Sequence, residues 1–387
     1  MKKIYLDYAA TSPCDPEVIQ AMQPYFFDRF GNPSSIHSFG QEAKKAIEDA
    51  REVVAAFLGA KPEEIIFTSG GTESNNFVVK GVAYALAKKG NHIIISDIEH
   101  HAVSEPAKFL EGAGFKTTSV KVDKYGLVDP ADIKKAITDK TILISMIHAN
   151  NEIGTIQPVV QIGKIAREKG IYFHSDAVQT VGHIPVNVDE LNVDMLSLSA
   201  HKFYGPKGIG ALYVRKGTRI DRFFHGGAQE RGRRGSTHNT TGIVGLAKAL
   251  ELCRDKMQEE GQFQIRLRDR LIKELPKAIP EIYLNGHPTQ RLPNNVNFAI
   301  KYIEGESMLL NLDMLGIAAS TGSACTSESL EPSHVLLAIG LPHEIAHGSL
   351  RFSMGRWTKE EDINYLLEQL PAIVKNLRAM SPLYENK

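Results

Sequence analysis

The sequence predicts an α/β protein: a large domain with a mainly parallel sheet, then a smaller C-terminal α/β domain. Two observations carry this. From about residue 45 to about 215, short β-branched apolar runs alternate with amphipathic stretches, as strands do when buried on both faces beneath crossover helices. The length, 387 residues, also exceeds what one small core organises. The apolar runs are EEIIFTSGG, NHIIISDIEH, KTILISMIHANNEIG, GIYFHSDAVQT, VDMLSLSAHKF and GIGALYVRK, with ESNNFVVKGVAYALAKKG and VVQIGKIAREKG among the intervening helices. After Thr240 a long helical pattern, GIVGLAKALELCRDKM and then FQIRLRDRLIKELPKAI past Gly261, is expected to join the domains. Beyond it NNVNFAI, IAASTG and SLRFSMG read as strands, and TKEEDINYLLEQLPAIVKNL as a terminal helix. The expected division is an N-terminal segment, 1–15, packing with the small domain, a large domain, 16–258, and a small domain, 259–387.

Lys plus Arg and Asp plus Glu balance at 45 each, so no basic field attracts nucleic acid or anionic lipid. Asp7 interrupts the opening MKKIYLDYAATSP before the apolar core of a signal peptide could form. No apolar run approaches a membrane span. Cys14, Cys253 and Cys325 are widely spaced and show no metal-ligand pattern. The chain is expected to be soluble and cytoplasmic, without direct nucleic-acid or membrane partners and without an intrinsic metal.

Ligands of parallel sheets bind at the carboxyl ends of the strands. Here those ends carry Thr72, His100, Asn150 and Asn151, Asp176 and Gln179, then His201 and Lys202. A lone lysine is ordinarily a surface residue, but Lys202 directly follows a buried run and enters a Gly/Pro turn. Asp176 follows the apolar IYF, where an unpaired carboxylate is costly. No Arg or Lys is close in sequence, and a protonated pyridine nitrogen would serve as partner. Pyridoxal phosphate (PLP) chemistry requires both a Schiff-base lysine and such an acid. FTSGGTES supplies a phosphate cradle: Gly70 and Gly71 for close approach, Thr72 and Ser74 for hydroxyls, and a helix start. GPKGIG lacks the full P-loop spacing and precedes a strand, which excludes a nucleotide loop.

Cys325 lies in STGSACTSESLEPSH, residues 320–334, a stretch of small and hydroxylated residues expected to form a loop able to move. Cys253, at helical apolar spacing, is expected in the core, and Cys14 in a turn. His100 and His101 are adjacent on a strand end and point to opposite sides, so they share no ion. His37 suits a structural hydrogen bond as well as a site role. The run Arg231, Arg233 and Arg234 is either a solvated loop or part of a subunit interface or phosphate surround.

YLDYAATSP, GNPSSIH, FTSGGTESNN, EHHAV, HANNEIGTIQP, HSDAVQ, SAHKFYGPKGIG, GGAQERGRRGST, GSACTSESLEPSHVL and LRFSMGR occur in this order over essentially the whole chain. In these motifs the sequence resembles the cysteine desulfurases of the NifS/IscS type, class-V aminotransferase-like enzymes of fold-type I that use PLP. The resemblance implies conversion of L-cysteine to L-alanine, with a persulfide left on Cys325. It gives Lys202 the cofactor Schiff base and the Cα proton. Asp176 receives the pyridinium, Gln179 the ring hydroxyl, and His100 ring stacking with acid–base work. Gly71, Thr72, Ser199 and His201 hold the phosphate; Asn151 and Arg351 hold the substrate carboxylate. Thr237 reaches the phosphate of the other subunit, which implies a homodimer. The family usually has Gly before that threonine, whereas this chain has Ser236. The length of the cysteine segment implies the branch that passes sulfur to several acceptors: an iron–sulfur scaffold protein, with Cys325 touching a cluster only transiently, and tRNA thiolation relays. Selenocysteine lyase, aminotransferase and non-catalytic scaffold are the competing readings.

Overall fold

Every parallel strand of the large sheet ends at one edge, and that edge fixes where chemistry can occur. The computed structural model describes residues 3–321, 332–382 and Tyr384. In chain order its strands are β1 (Ile4–Tyr5), β2 (Ile65–Thr68), β3 (His92–Ser96), β4 (Lys116–Val120), β5 (Thr141–Ile147) and β6 (Tyr172–Asp176). They continue with β7 (Met195–Ser199), β8 (Gly210–Val214), β9 (Ile282–Asn285), β10 (Asn295–Ile300), β11 (Ile317–Ala318) and β12 (Ser349–Ser353). The large sheet has the order β2-β8-β7-β6-β5-β3-β4, and only β8 runs antiparallel to its neighbours. The strand β4, KTTSV, escaped the sequence reading because it lies at the sheet edge with little apolar signal.

Alternation along each strand divides the core. Ile65, Phe67, Ile144 and Leu196 face one side, where the Ser38–Leu58 and Val159–Lys169 helices cover them. Ile66, Ile93, Ile95 and Leu212 face the other, beneath the Gly71–Ala85 and His101–Glu111 helices. The Ser38–Leu58 helix shows how sequence dictates this. Its Ala43, Ile47, Ala50, Val54 and Leu58 form one buried stripe, and Gly59 at φ 71° stops it.

The helix Thr240–Ala278 runs unbroken for 39 residues, about 58 Å. Ile243, Leu246 and Leu250 pack into the large-sheet core, while Leu267, Leu271 and Leu275 join a second core with β9, β10 and β12. The boundary expected between 258 and 259 therefore falls inside one helix. β12-β10-β9 is antiparallel, and β1 pairs in parallel with β11. Ile4 and Leu6 sit in the second core, but the chain then crosses over: Ser12 N donates to His201 O (2.8 Å) and Asp15 N to Tyr204 O (2.9 Å). The N-terminal segment thus packs on both bodies. Among the described residues no helix is long and apolar enough to cross a membrane.

Candidate active site

At the shared strand edge lies a cavity of about 240 Å³. Gly71, Thr72, His100, Asn151, Asp176, Gln179, Ser199, His201, Lys202 and Arg351 line it, with Ala9, Ala10 and Asn75. Thr237 does not line it; it is exposed in the segment before Thr240. Cys325 lies outside the described residues.

The β2-to-helix turn forms one wall. Gly70 has φ 153°, and a Cβ on Gly71 would meet Val178 Cγ2 at 2.7 Å, so side chains are excluded there. The helix Gly71–Ala85 has no side-chain cap, leaving its first amides to face the cavity edge. Ser74 does not contribute its hydroxyl: it is buried, 2.8 Å from Thr68 Oγ1, and donates to Ala211 O. One helical turn after Thr72 the inward position is Asn75, which the sequence reading passed over; the i, i+3 spacing was the signal.

Asn75 Nδ2 donates to Asp176 Oδ2 (2.7 Å), and Val178 N donates to Oδ1 (3.0 Å). Asp176 is 4% exposed and, among the described residues, forms no ion pair. Asn75 Oδ1 is also buried without a partner. A buried carboxylate with only neutral donors calls for a cation.

Lys202 ends a short 3-10 turn, Ala200–Lys202, directly after β7. Its Nζ donates to Ala9 O (2.6 Å) and Ala10 O (2.7 Å). Behind it, His183 Nε2 lies 3.0 Å from Lys202 O, and Tyr204 N, at φ 67°, donates to Ser12 Oγ (2.8 Å). Gln179 Nε2 donates to the same Ala9 carbonyl (3.0 Å). These backbone carbonyls of YAAT were invisible as site groups, because backbone acceptors leave no residue-type signature.

His100 is the N-cap of the His101–Glu111 helix, not a strand-end residue as expected. Its Nδ1 accepts from Ala102 N (3.0 Å). Burial holds its pKa below the ordinary histidine value; Asp176 opposes this, while Lys202 and His101 reinforce it. The neutral ring therefore carries its proton on Nε2. His101 turns towards His334, ring centroids 4.8 Å apart. His201 is pushed down to about 4 by burial, with help from Lys202 and Lys207. Arg351 arrives on β12, donating to Asn151 O (3.0 Å) and Asp7 Oδ1 (2.8 Å), while its Nε is buried without a partner.

The remaining candidates separate cleanly. Cys253 is buried, with burial pushing its thiol up to about 12, and Cys14 is raised by burial and Asp15. His37 caps the Ser38–Leu58 helix through Nδ1. Of the arginine run, Arg231 pairs with Glu48 at the surface, Arg233 donates to Glu63 O, and Arg234 forms a two-pronged pair with Glu73. Ser236 has φ 100°, a region that favours glycine, which gives the departure noted at this position a physical cost.

The groups present fit PLP: one amine, one buried carboxylate lacking a cation, and a glycine-walled, uncapped helix end.

Glu99, beside His100, is a group the sequence reading missed. Burial pushes its pKa up to about 8, against the bonds from Ser96 Oγ (2.5 Å) and Ile147 N (2.9 Å) to Oε1. Its Oε2 is buried without a partner. The folded pKa lies above the unfolded one, so its stabilisation is full below about pH 4.3 and is lost as pH rises through about 8. Glu99→Gln mimics the protonated acid. Its Tm should gain on the wild type by roughly 5 °C between pH 5 and pH 9. The buried His148, His174 and His183 are common to both proteins and cancel. A difference independent of pH would contradict this.

The class-V aminotransferase family model matches residues 4–366. A cysteine desulfurase IscS of Dictyoglomus turgidum is 60% identical over 381 residues, covering 98% of this chain and 97% of that protein. Among solved structures, a NifS-like protein superimposes with a TM-score of 0.92 at 39% identity, covering 97% of this chain and 100% of the other. SspA, solved in complex with cysteine, gives 0.81 at 39% identity over 91% of this chain and 99% of its own. With the family model spanning most of the chain and relatives matching it end to end, this chain belongs to the class-V aminotransferase family and, within it, to the cysteine desulfurases of the NifS/IscS type.

Proposed function

We propose that this protein takes sulfur from L-cysteine, releases L-alanine and holds the sulfur as a persulfide on Cys325, using PLP as resident cofactor. The single observation that carries the reading is the convergence, in one cavity, of the Lys202 amine and the buried, cation-lacking Asp176. PLP, when bound, supplies the electron sink for the pair released at the substrate Cα. Gly71, Thr72, Ser199 and His201 would hold its phosphate, Asp176 its ring nitrogen, and one remaining N–H of Gln179 its ring hydroxyl. Lys202 anchors the cofactor and moves the Cα proton through Nζ. Neutral His100, which lines the cavity with its Nδ1 taken by the Ala102 amide, would exchange protons through Nε2. Arg351, with an unpartnered Nε, and Asn151 hold the substrate carboxylate.

Cys325 attacks the substrate sulfur as a thiolate. The new S–S bond forms as the Cβ–S bond breaks, and the carbon skeleton takes up the proton. Cysteine plus thiolate then equals alanine plus persulfide, with no external oxidant. The other two cysteines support this assignment, since both are held as thiols by burial. Ser320, whose backbone pairs with that of Arg351, lies five residues before Cys325, and five residues span at most about 18 Å.

The same reading makes the protein a cytoplasmic homodimer that hands sulfur to an iron–sulfur scaffold protein and to tRNA thiolation relays. Exposed Phe26, Phe27, Phe30, Ile36 and Phe39 supply an apolar surface suited to a subunit interface. The test is product analysis. L-cysteine with a thiol reductant should yield alanine and sulfide one for one. Pyruvate in place of alanine, or turnover of selenocysteine alone, would overturn it.

A further inference from the structure

Thr237 lies between Phe224 and Asn239, where the chain has no strand and only one 3-10 turn, Glu230–Gly232. The backbone here is strained: Glu230, Arg231 and Ser236 have φ of 46°, 56° and 100°. Such a conformation persists only where the surroundings over-determine it, and two buried anchors do so.

The first anchor is Glu230. Its Oε1 accepts from Arg51 Nη2 (2.9 Å) and His238 Nε2 (2.8 Å), and its Oε2 from Arg51 Nη1 (2.8 Å) and Phe67 N (2.9 Å). Every lone-pair position of the carboxylate is occupied. Burial would raise its pKa, but His238, Arg51 and the Phe67 amide outweigh this and hold it at about 2, so it stays charged. Arg51 also donates to Ile65 O (2.9 Å), which ties the cluster to β2, the strand that leads into the Gly70–Gly71 turn. The second anchor is the Arg234–Glu73 pair (2.8 and 3.0 Å), on the first turn of the helix that begins at Gly71.

Thr237 lies in the chain between Arg234 of the second anchor and His238, which returns to Glu230 of the first. His238 Nδ1 is buried without a partner, so Glu230 alone orients the ring by hydrogen bonding. Neither Glu230 nor His238 lines the cavity.

We propose that Glu230, acting through His238, is a positioning residue that holds Thr237 at the cofactor phosphate of the partner subunit. This rests on the reading of Thr237 given above. The test is the rate of PLP loss from the dimeric holoenzyme, followed by its visible absorbance after dilution with a trap for free cofactor. Thr237→Ala sets the scale and should release PLP about tenfold faster, the loss of one charge-assisted hydrogen bond. His238→Ala should match it. His238→Gln, whose Nε2 donates from nearly the same place, should return towards the wild-type rate. The double variant should be no faster than either single one. Glu230→Gln should follow His238→Ala, but it leaves Arg51 buried without its countercharge and risks the fold, so the His238 series decides. A wild-type rate for His238→Ala beside a fast Thr237→Ala, or an additive, about hundredfold double variant, would overturn the positioning role. An unchanged rate for Thr237→Ala would instead remove the Thr237 contact itself, and the positioning claim with it.

Discussion

Lys202→Ala should lower alanine formation from L-cysteine by at least about 10⁴-fold, the upper range for a positioned proton-transfer group, because it removes the cofactor anchor as well. Among the described residues Lys202 is the sole lysine lining the cavity; Arg351, the other cationic side chain there, carries a guanidinium that does not give up its proton. Its Nζ is held by the carbonyls of Ala9 and Ala10, which can accept from an ammonium but cannot themselves move a proton. The fold should survive, since the turn behind Lys202 is kept by His183, Tyr204 and Ser12 through backbone atoms that the substitution leaves intact. Thermal unfolding checks that point, and a small added amine should restore part of the rate. A loss under about tenfold would remove Lys202 from the proton-transfer role.

Cys325→Ala should abolish alanine formation to a comparable extent while leaving cofactor binding and its absorbance unchanged. The two described cysteines offer no substitute. Cys253 is 1% exposed inside the Thr240–Ala278 helix, with its thiol pushed up to about 12. Cys14 is half-buried, beside Asp15, which disfavours its thiolate further. A variant still forming alanine at the wild-type rate would mean that sulfur leaves without a protein nucleophile, as in a lyase.

The fold was legible because strands buried on both faces advertise themselves as unbroken apolar runs, and because their polar ends fall at a spacing only a parallel sheet brings together. β4 failed this test, since an edge strand has one face and one neighbour fewer to satisfy. The place of Lys202 and Asp176 in the cavity was readable because such residue types stand out at the ends of buried strands, and that of Thr72 and His100 because they open the helices that follow. The carbonyls of Ala9 and Ala10 were not, because any residue supplies a carbonyl and only the crossing of the N-terminal segment brings them to Lys202. Asn75 and Glu99 were hidden for a related reason. They act on Asp176 and on the His100 turn, and amides and acids of that kind are abundant in sequences that do no chemistry. The Glu230–Arg51 pair joins residues 179 positions apart and had no local signature at all.

The most direct test of the account is the mass of the peptide that carries Cys325, taken from holoenzyme exposed to L-cysteine and then alkylated without reductant. We expect that peptide to gain one sulfur atom, with alanine formed in equal amount, and the Cys14 and Cys253 peptides to stay unchanged. Alanine formed with no added sulfur on Cys325, or sulfur found on Cys14 instead, would contradict the assignment.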